Sequence, residues 1–249
     1  MKALSGESTP WTRVLGITIC VAFAYVVGSV FADIFQGFGT SLFHFRGGIN
    51  RLYKMAEPPG WSIAATLLGV WLGLLIGAWY IRRRGWVSSL RGLFQTRWSD
   101  LAFIPLGIAG QVIISLAYAP FHLGSKMDAP AKHLFGGAGG FLWLLGVMSV
   151  LGAPIVEETV FRGMMYRGFF ENFADRNERW AFRLALFFSA LLFAGAHFEL
   201  LQLPGLFFVG LLLAYLVKKT GRLVPSIVTH ASFNAVAFAY VTFAQHGKI

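Results

Sequence analysis

Ala153-Pro154-Ile155-Val156-Glu157-Glu158-Thr159-Val160-Phe161-Arg162-Gly163 closes one of the longest apolar runs in the chain with two adjacent carboxylates and an arginine. A charge inside a bilayer costs about 3 kcal/mol on insertion scales, so ionisable groups in such a setting point first to a functional site. Two more helically spaced pairs occur downstream in similarly apolar surroundings: Phe193 with His197, and His230 with Asn234. Together the three stretches suggest one site built from Glu157, Glu158, Arg162, His197, His230 and Asn234.

The rest of the composition fits a membrane setting for that site. Of 249 residues, 56% are hydrophobic and only 13% charged, with a mean hydropathy of +0.64; soluble chains average roughly 25% charged. Several apolar runs approach the roughly 20 residues that a helix needs to cross a bilayer. The expected fold is therefore all-α, a polytopic transmembrane helical bundle and not a barrel or a soluble core. The formal charge of +10 suggests nucleic-acid binding only in a soluble chain. Here the basic residues cluster between apolar runs, where they read as cytoplasmic retention signals and contacts for anionic lipid; no nucleic-acid partner is expected. A single cysteine, Cys20, excludes an intramolecular disulfide and a multi-cysteine metal site.

In chain order, residues 1–10 read as a disordered lead-in, followed by spans at 11–32, 61–81, 101–121, one beginning at 141, and then 180–198, 206–217 and 223–243. That makes seven, with an eighth if part of 34–56 or 122–140 enters the membrane. The segment 33–60 reads as a loop with a surface helix, and His122 and His133 as solvated loop residues. Arg82-Arg83-Arg84, with Arg91 and Arg97 following and no acid before Asp100, is the strongest orientation signal; it puts this loop, and with it the N-terminus, in the cytoplasm. The whole chain, 1–249, reads as one integral membrane domain, in a bacterial cell membrane.

Residues four apart on a helix share a face, and adjacent ones diverge by about 100°. Glu158 therefore neighbours Arg162 and neutralises it, while Glu157 points elsewhere and is left to hold water or take a proton. A carboxylate and a histidine sharing one water is the arrangement that general-base hydrolysis needs, and an amide and a second imidazole can steady the oxyanion formed when water attacks a carbonyl. Phe193 reads as a packing residue.

Glu157-Glu158-Thr159-Val160-Phe161-Arg162 has the form EExxxR, Phe193-Ala194-Gly195-Ala196-His197 the form FxxxH, and His230-Ala231-Ser232-Phe233-Asn234 the form HxxxN. In this combination and order the chain resembles the CAAX prenyl protease 2 and bacteriocin-processing family (CPBP, or Abi) of intramembrane endopeptidases, over a catalytic core at 141–245. The resemblance implies Glu157 as general base, His197 holding the water, His230 and Asn234 on the oxyanion, and Glu158 with Arg162 fixing the helix. It implies a peptide or protein substrate at the membrane. No cofactor is favoured, because no HExxH is present and Asn is a poor zinc ligand; a zinc route would use Glu157, His197 and His230 as ligands. The alternatives are a non-proteolytic immunity or regulatory protein keeping the same fold, and a proton-relaying transporter, for which no repeat halves are found.

The shared site places a demand on the fold. If the span beginning at 141 stopped at Val156, Glu157 would lie at the cytoplasmic edge and His197, about 16 residues into a span leaving the cytoplasm, more than about 20 Å away. The helix must instead continue through Phe170, tilted, bent at Pro154 or protruding, with Glu157 in its interior.

Overall fold

Without water to bond, every backbone N–H and C=O in an apolar run must pair within the chain, and a helix does this locally. The computed structural model describes residues 9–122, 126 and 129–246. Its helices are α1 (Pro10–Leu42), α2 (Gly48–Leu52), α3 (Gly60–Arg83), α4 (Trp98–Phe121), α5 (Ala129–Phe135), α6 (Gly139–Phe173), α7 (Glu178–Gly195), α8 (Leu203–Thr220) and α9 (Val224–His246). Among the described residues there is no strand. Six of these described helices, α1, α3, α4, α6, α8 and α9, are long and apolar enough to cross a membrane. The protein is an all-α, multi-pass integral membrane bundle.

The expected span at 180–198, which is not among these six, corresponds to α7. It has the same 18 residues as α8, but Glu178, Arg179 and Arg183 fall in its first two turns, so its apolar part is shorter than its helix. Three other expectations change. Residues 1–8 of the proposed lead-in lie outside the described residues, while Thr9 already caps α1 by accepting from Thr12 N at 3.2 Å, and Pro10 occupies its first turn. The first span does not end at Ala32. It runs on to Leu42 because its polar residues find partners: Tyr53 Oη donates to Asp33, and Gln36 Nε2 donates to Thr66 Oγ1 at 2.8 Å. That bond to Asp33 pushes the Tyr53 phenol up to about 12. The 33 residues of α1 reach about 50 Å at 1.5 Å per residue, well beyond a hydrocarbon core of about 30 Å. Finally, His133 lies on α5 and not in a loop, with Nδ1 at 2.9 Å from Ala56 O.

α6 meets the demand set by the histidine register. It is one continuous helix of 35 residues, and every residue from Glu158 to Tyr166 is buried. Ile17 of α1, Leu74 of α3, Val156, Val160, Phe161 and Met164 of α6 and Phe193 of α7 form the core around it. At the end expected to be cytoplasmic, the loop after α3 is tied down on two sides. Ser88 N donates to Glu171 Oε2 at 2.8 Å, and Arg222 Nη1 donates to Gln95 O at 2.8 Å while the same guanidinium grips Asp100 at the start of α4 with two bonds of 2.8 and 2.7 Å.

α1 and α3 cross at backbone contact. A Cβ on Gly69 would meet Ala32 N at 2.2 Å, and one on Gly73 would meet Ala24 O at 2.4 Å. Such close approach through small residues is how helices associate where lipid supplies no hydrophobic drive. Gly73→Val should force the pair apart and lower stability by about 1–3 kcal/mol, read as a lower melting temperature in detergent. Gly37→Ala, facing open space, should be neutral or slightly stabilising.

Candidate active site

The site begins with what proline does to α6. Pro154 has no N–H to give, and α6 widens before it into a π-helical turn, Met148–Gly152, in which Ala153 N reaches Met148 O. In that i→i+5 pattern the partner of Ser149 O would be the missing N–H of Pro154. Asn234 Nδ2 of α9 supplies the bond at 2.9 Å. A second π-helical stretch, Glu158–Tyr166, follows at once. π-bulges recur at functional sites because they re-aim side chains without breaking the helix.

Glu158 and Arg162 sit at the centre, both completely buried, with Arg162 Nη1 2.8 Å from Glu158 Oε1. The remaining polar atoms are largely provided for. Glu158 Oε2 accepts from Ser226 Oγ at 2.5 Å, Oε1 also faces His230 Nδ1 at 3.0 Å, and Arg162 Nη2 donates to Gly210 O at 3.2 Å. The guanidinium lies 4.3 Å from the centroid of the Phe193 ring, a cation–π contact strengthened by the absence of water. Phe193 is thus more than packing. Its ring also meets the imidazoles of His197 and His230 edge-on, at centroid distances of 4.8 and 5.6 Å.

Glu157 has a different environment. Its side chain retains 19% exposure, and its Oε2 is shielded yet has no hydrogen-bond partner. That oxygen lies 4.0 Å from His197 Nε2 and 3.8 Å from His230 Nε2. The far nitrogen of each ring fixes its role. His197 Nδ1 is 2.8 Å from Phe193 O, and a carbonyl only accepts, so Nδ1 carries the proton. His230 Nδ1 likewise faces the Glu158 carboxylate. Each ring therefore turns its Nε2 toward Glu157.

Glu157, Glu158, Arg162, Phe193, His197 and His230 lie together in the structure. The separation of the two glutamates is less complete than helical phase implied, because His230 touches one with each nitrogen. Asn234 bonds α6 one helical turn away from His230 on α9. Ser226 was missed, although it precedes His230 by four residues and so shares its face. His197 lies just beyond the last residue of α7, Gly195, and not within the helix.

Residues 139–236 match the family model described as Rce1-like, type II CAAX prenyl endopeptidase. The match bears out the resemblance drawn from the three motifs, and all of them lie within it. No curated protein and no solved structure matches the chain. At the level of the family, the Rce1-like segment supports a CAAX-type intramembrane protease acting on a peptide at the membrane. The described residues of this segment do not fit a preformed zinc site. No group of three or more His, Cys, Asp or Glu side chains is set to hold a metal ion, and the distances of 3.8 and 4.0 Å around Glu157 Oε2 exceed the roughly 3.4 Å between neighbouring ligands that bonds near 2.0–2.1 Å would give.

Neutralising Glu158 would strand a buried guanidinium, the costly way to break such a pair, worth about 3–5 kcal/mol. Glu158→Gln should therefore depress yield and melting temperature sharply, whereas Glu157→Gln should leave both close to those of the unaltered protein; near-normal melting of Glu158→Gln would contradict the central role of the pair.

Proposed function

We propose that the protein is an intramembrane endopeptidase that hydrolyses a peptide bond with water activated by Glu157. The observation that carries this reading is the shielded, partnerless Glu157 Oε2, facing two imidazole nitrogens at 3.8 and 4.0 Å. These distances are too long for direct hydrogen bonds and suit one water that donates to Glu157 Oε2 and to His197 Nε2. His197 holds that water through Nε2. Glu157 takes its proton as the new hydroxide attacks the carbonyl carbon, then returns the proton to the leaving amine as the C–N bond breaks.

The oxyanion is met from α9. His230 donates from Nε2 when its ring is doubly protonated, with Glu158 bonded to Nδ1. The Asn234 amide proton not committed to Ser149 O is the second donor. Glu158 and Arg162 act through this scaffold and do not touch the substrate. Because the donors that would bind zinc are not arranged as a ligand set, the metal-free route is the one proposed. Arg82–Arg84 face the cytoplasm in this reading, and the N-terminus lies on the same side.

Two measurements test it on protein purified into lipid vesicles, with an internally quenched peptide bearing an S-farnesylated cysteine three residues from its C-terminus. Glu157→Gln keeps the shape of the side chain and removes the base, and cleavage should fall by about 100-fold or more; undiminished cleavage would remove Glu157 as the base, and no cleavage by the unaltered protein would return the chain to the non-proteolytic alternative. Treatment with a strong chelator should leave the rate unchanged. Activity lost to the chelator and restored specifically by zinc would overturn the metal-free route.

A further inference from the structure

The segment joining α7 to α8 hangs beside the candidate site between two tyrosines from the N-terminal half of the chain. At one end Tyr25 Oη of α1 donates to Ala196 O at 3.3 Å. At the other, Tyr118 Oη of α4 donates to Leu201 O at 2.9 Å. Both tyrosines lie outside the segment that matches the family.

The two ends differ in what they hold. Ala196 immediately follows the last residue of α7 and immediately precedes His197. Its carbonyl is among those that a helix leaves without an internal partner. The His197 ring is itself anchored backward, through Nδ1 to Phe193 O, so the direction of Nε2 follows the path of this final turn. The turn is also strained: Phe198 takes a left-handed φ of +55°, uncommon for a residue with a bulky side chain. The ring of Tyr25 meets that of Phe198 edge-on at 6.2 Å. Tyr25 is half-buried and packs on the core that contains Val156 and Val160, which flank Glu157 and Glu158 on α6, and Phe193 of α7. One side chain thus packs on the core that surrounds the candidate base and bonds the turn bearing its histidine.

We infer that Tyr25 is a positioning residue that holds His197 in register with Glu157, through the carbonyl of Ala196 and the ring of Phe198. The inference rests on the reading that Glu157 and His197 share a water. It gives the N-terminal half a part in catalysis without contact with the reacting atoms. Tyr118 restrains the same segment five residues further along, beyond the turn that sets the imidazole.

The test uses the full-length protein in lipid vesicles and the same quenched farnesylated peptide, comparing Tyr25→Phe, Tyr118→Phe and Glu157→Gln. Tyr25→Phe keeps the ring and removes only the hydroxyl. Its kcat should fall by about 10- to 100-fold, the scale of a small misplacement of a catalytic group, with KM within about twofold and an unchanged melting temperature. Tyr118→Phe should keep the kcat of the unaltered protein. An unaltered kcat in Tyr25→Phe, with Glu157→Gln inactive, overturns the inference and leaves the proposed function standing. Equal losses in the two tyrosine variants, or a loss in Tyr25→Phe that tracks its melting temperature, overturn it in favour of general tethering. Full activity of Glu157→Gln removes the proposed function and this inference together.

Discussion

The buried pair of Glu158 and Arg162 is the constraint on which the rest of the structure depends. Both side chains are wholly shielded, and two charges taken out of water cost more than their attraction returns unless further hydrogen bonds occupy the remaining atoms. Those bonds come from other helices: Ser226 and His230 on α9, Gly210 O on α8, and the ring of Phe193 on α7. Satisfying the pair therefore draws three helices around α6. The same act orients His230, because an imidazole whose Nδ1 is held by Glu158 presents its Nε2 to Glu157. Structural and chemical roles are divided between adjacent residues, one glutamate fully committed and the other left with an unengaged oxygen.

α6 makes this possible by not being an ordinary α-helix. Its two π-helical stretches bracket Pro154 and Glu157, and the second begins at Glu158. In the first, the carbonyl that proline cannot serve is taken by Asn234, so the last motif residue does backbone work as well as any work on an oxyanion. At the start of the second, Glu157 and Glu158 face the two ring nitrogens of His230. The carbonyl of Phe161 accepts from Ser189 Oγ at 2.9 Å, which ties α7 to the same stretch.

The N-terminal half, which carries no motif, contributes through packing. The glycine seam between α1 and α3 brings α1 close enough for Ile17 and Tyr25 to reach the core around α6 and the end of α7. This explains how a half without recognisable chemistry can bear on the site: it supplies the wall against which the helices of the candidate site are set.

Much was legible in the sequence. Apolar runs of bilayer length determined a helical bundle, since no other local structure pairs the backbone without water. The i, i+4 spacing joined Glu158 to Arg162 and Phe193 to His197, and the depth of His197 required α6 to run on past Glu157, because helical rise converts residue number directly into distance. What spacing along one helix cannot encode is which group on another helix completes a buried charge. Ser226 and Gly210 O on Glu158 and Arg162, Asn234 on Ser149 O, Tyr25 on Ala196 O and the continuation of α1 past Asp33 to Leu42 all arise from partners distant in the chain. The sequence by itself determined which residues could share a face. Only the tertiary structure decided which faces meet, because the cost of an unpaired buried polar group is settled between helices and not within one.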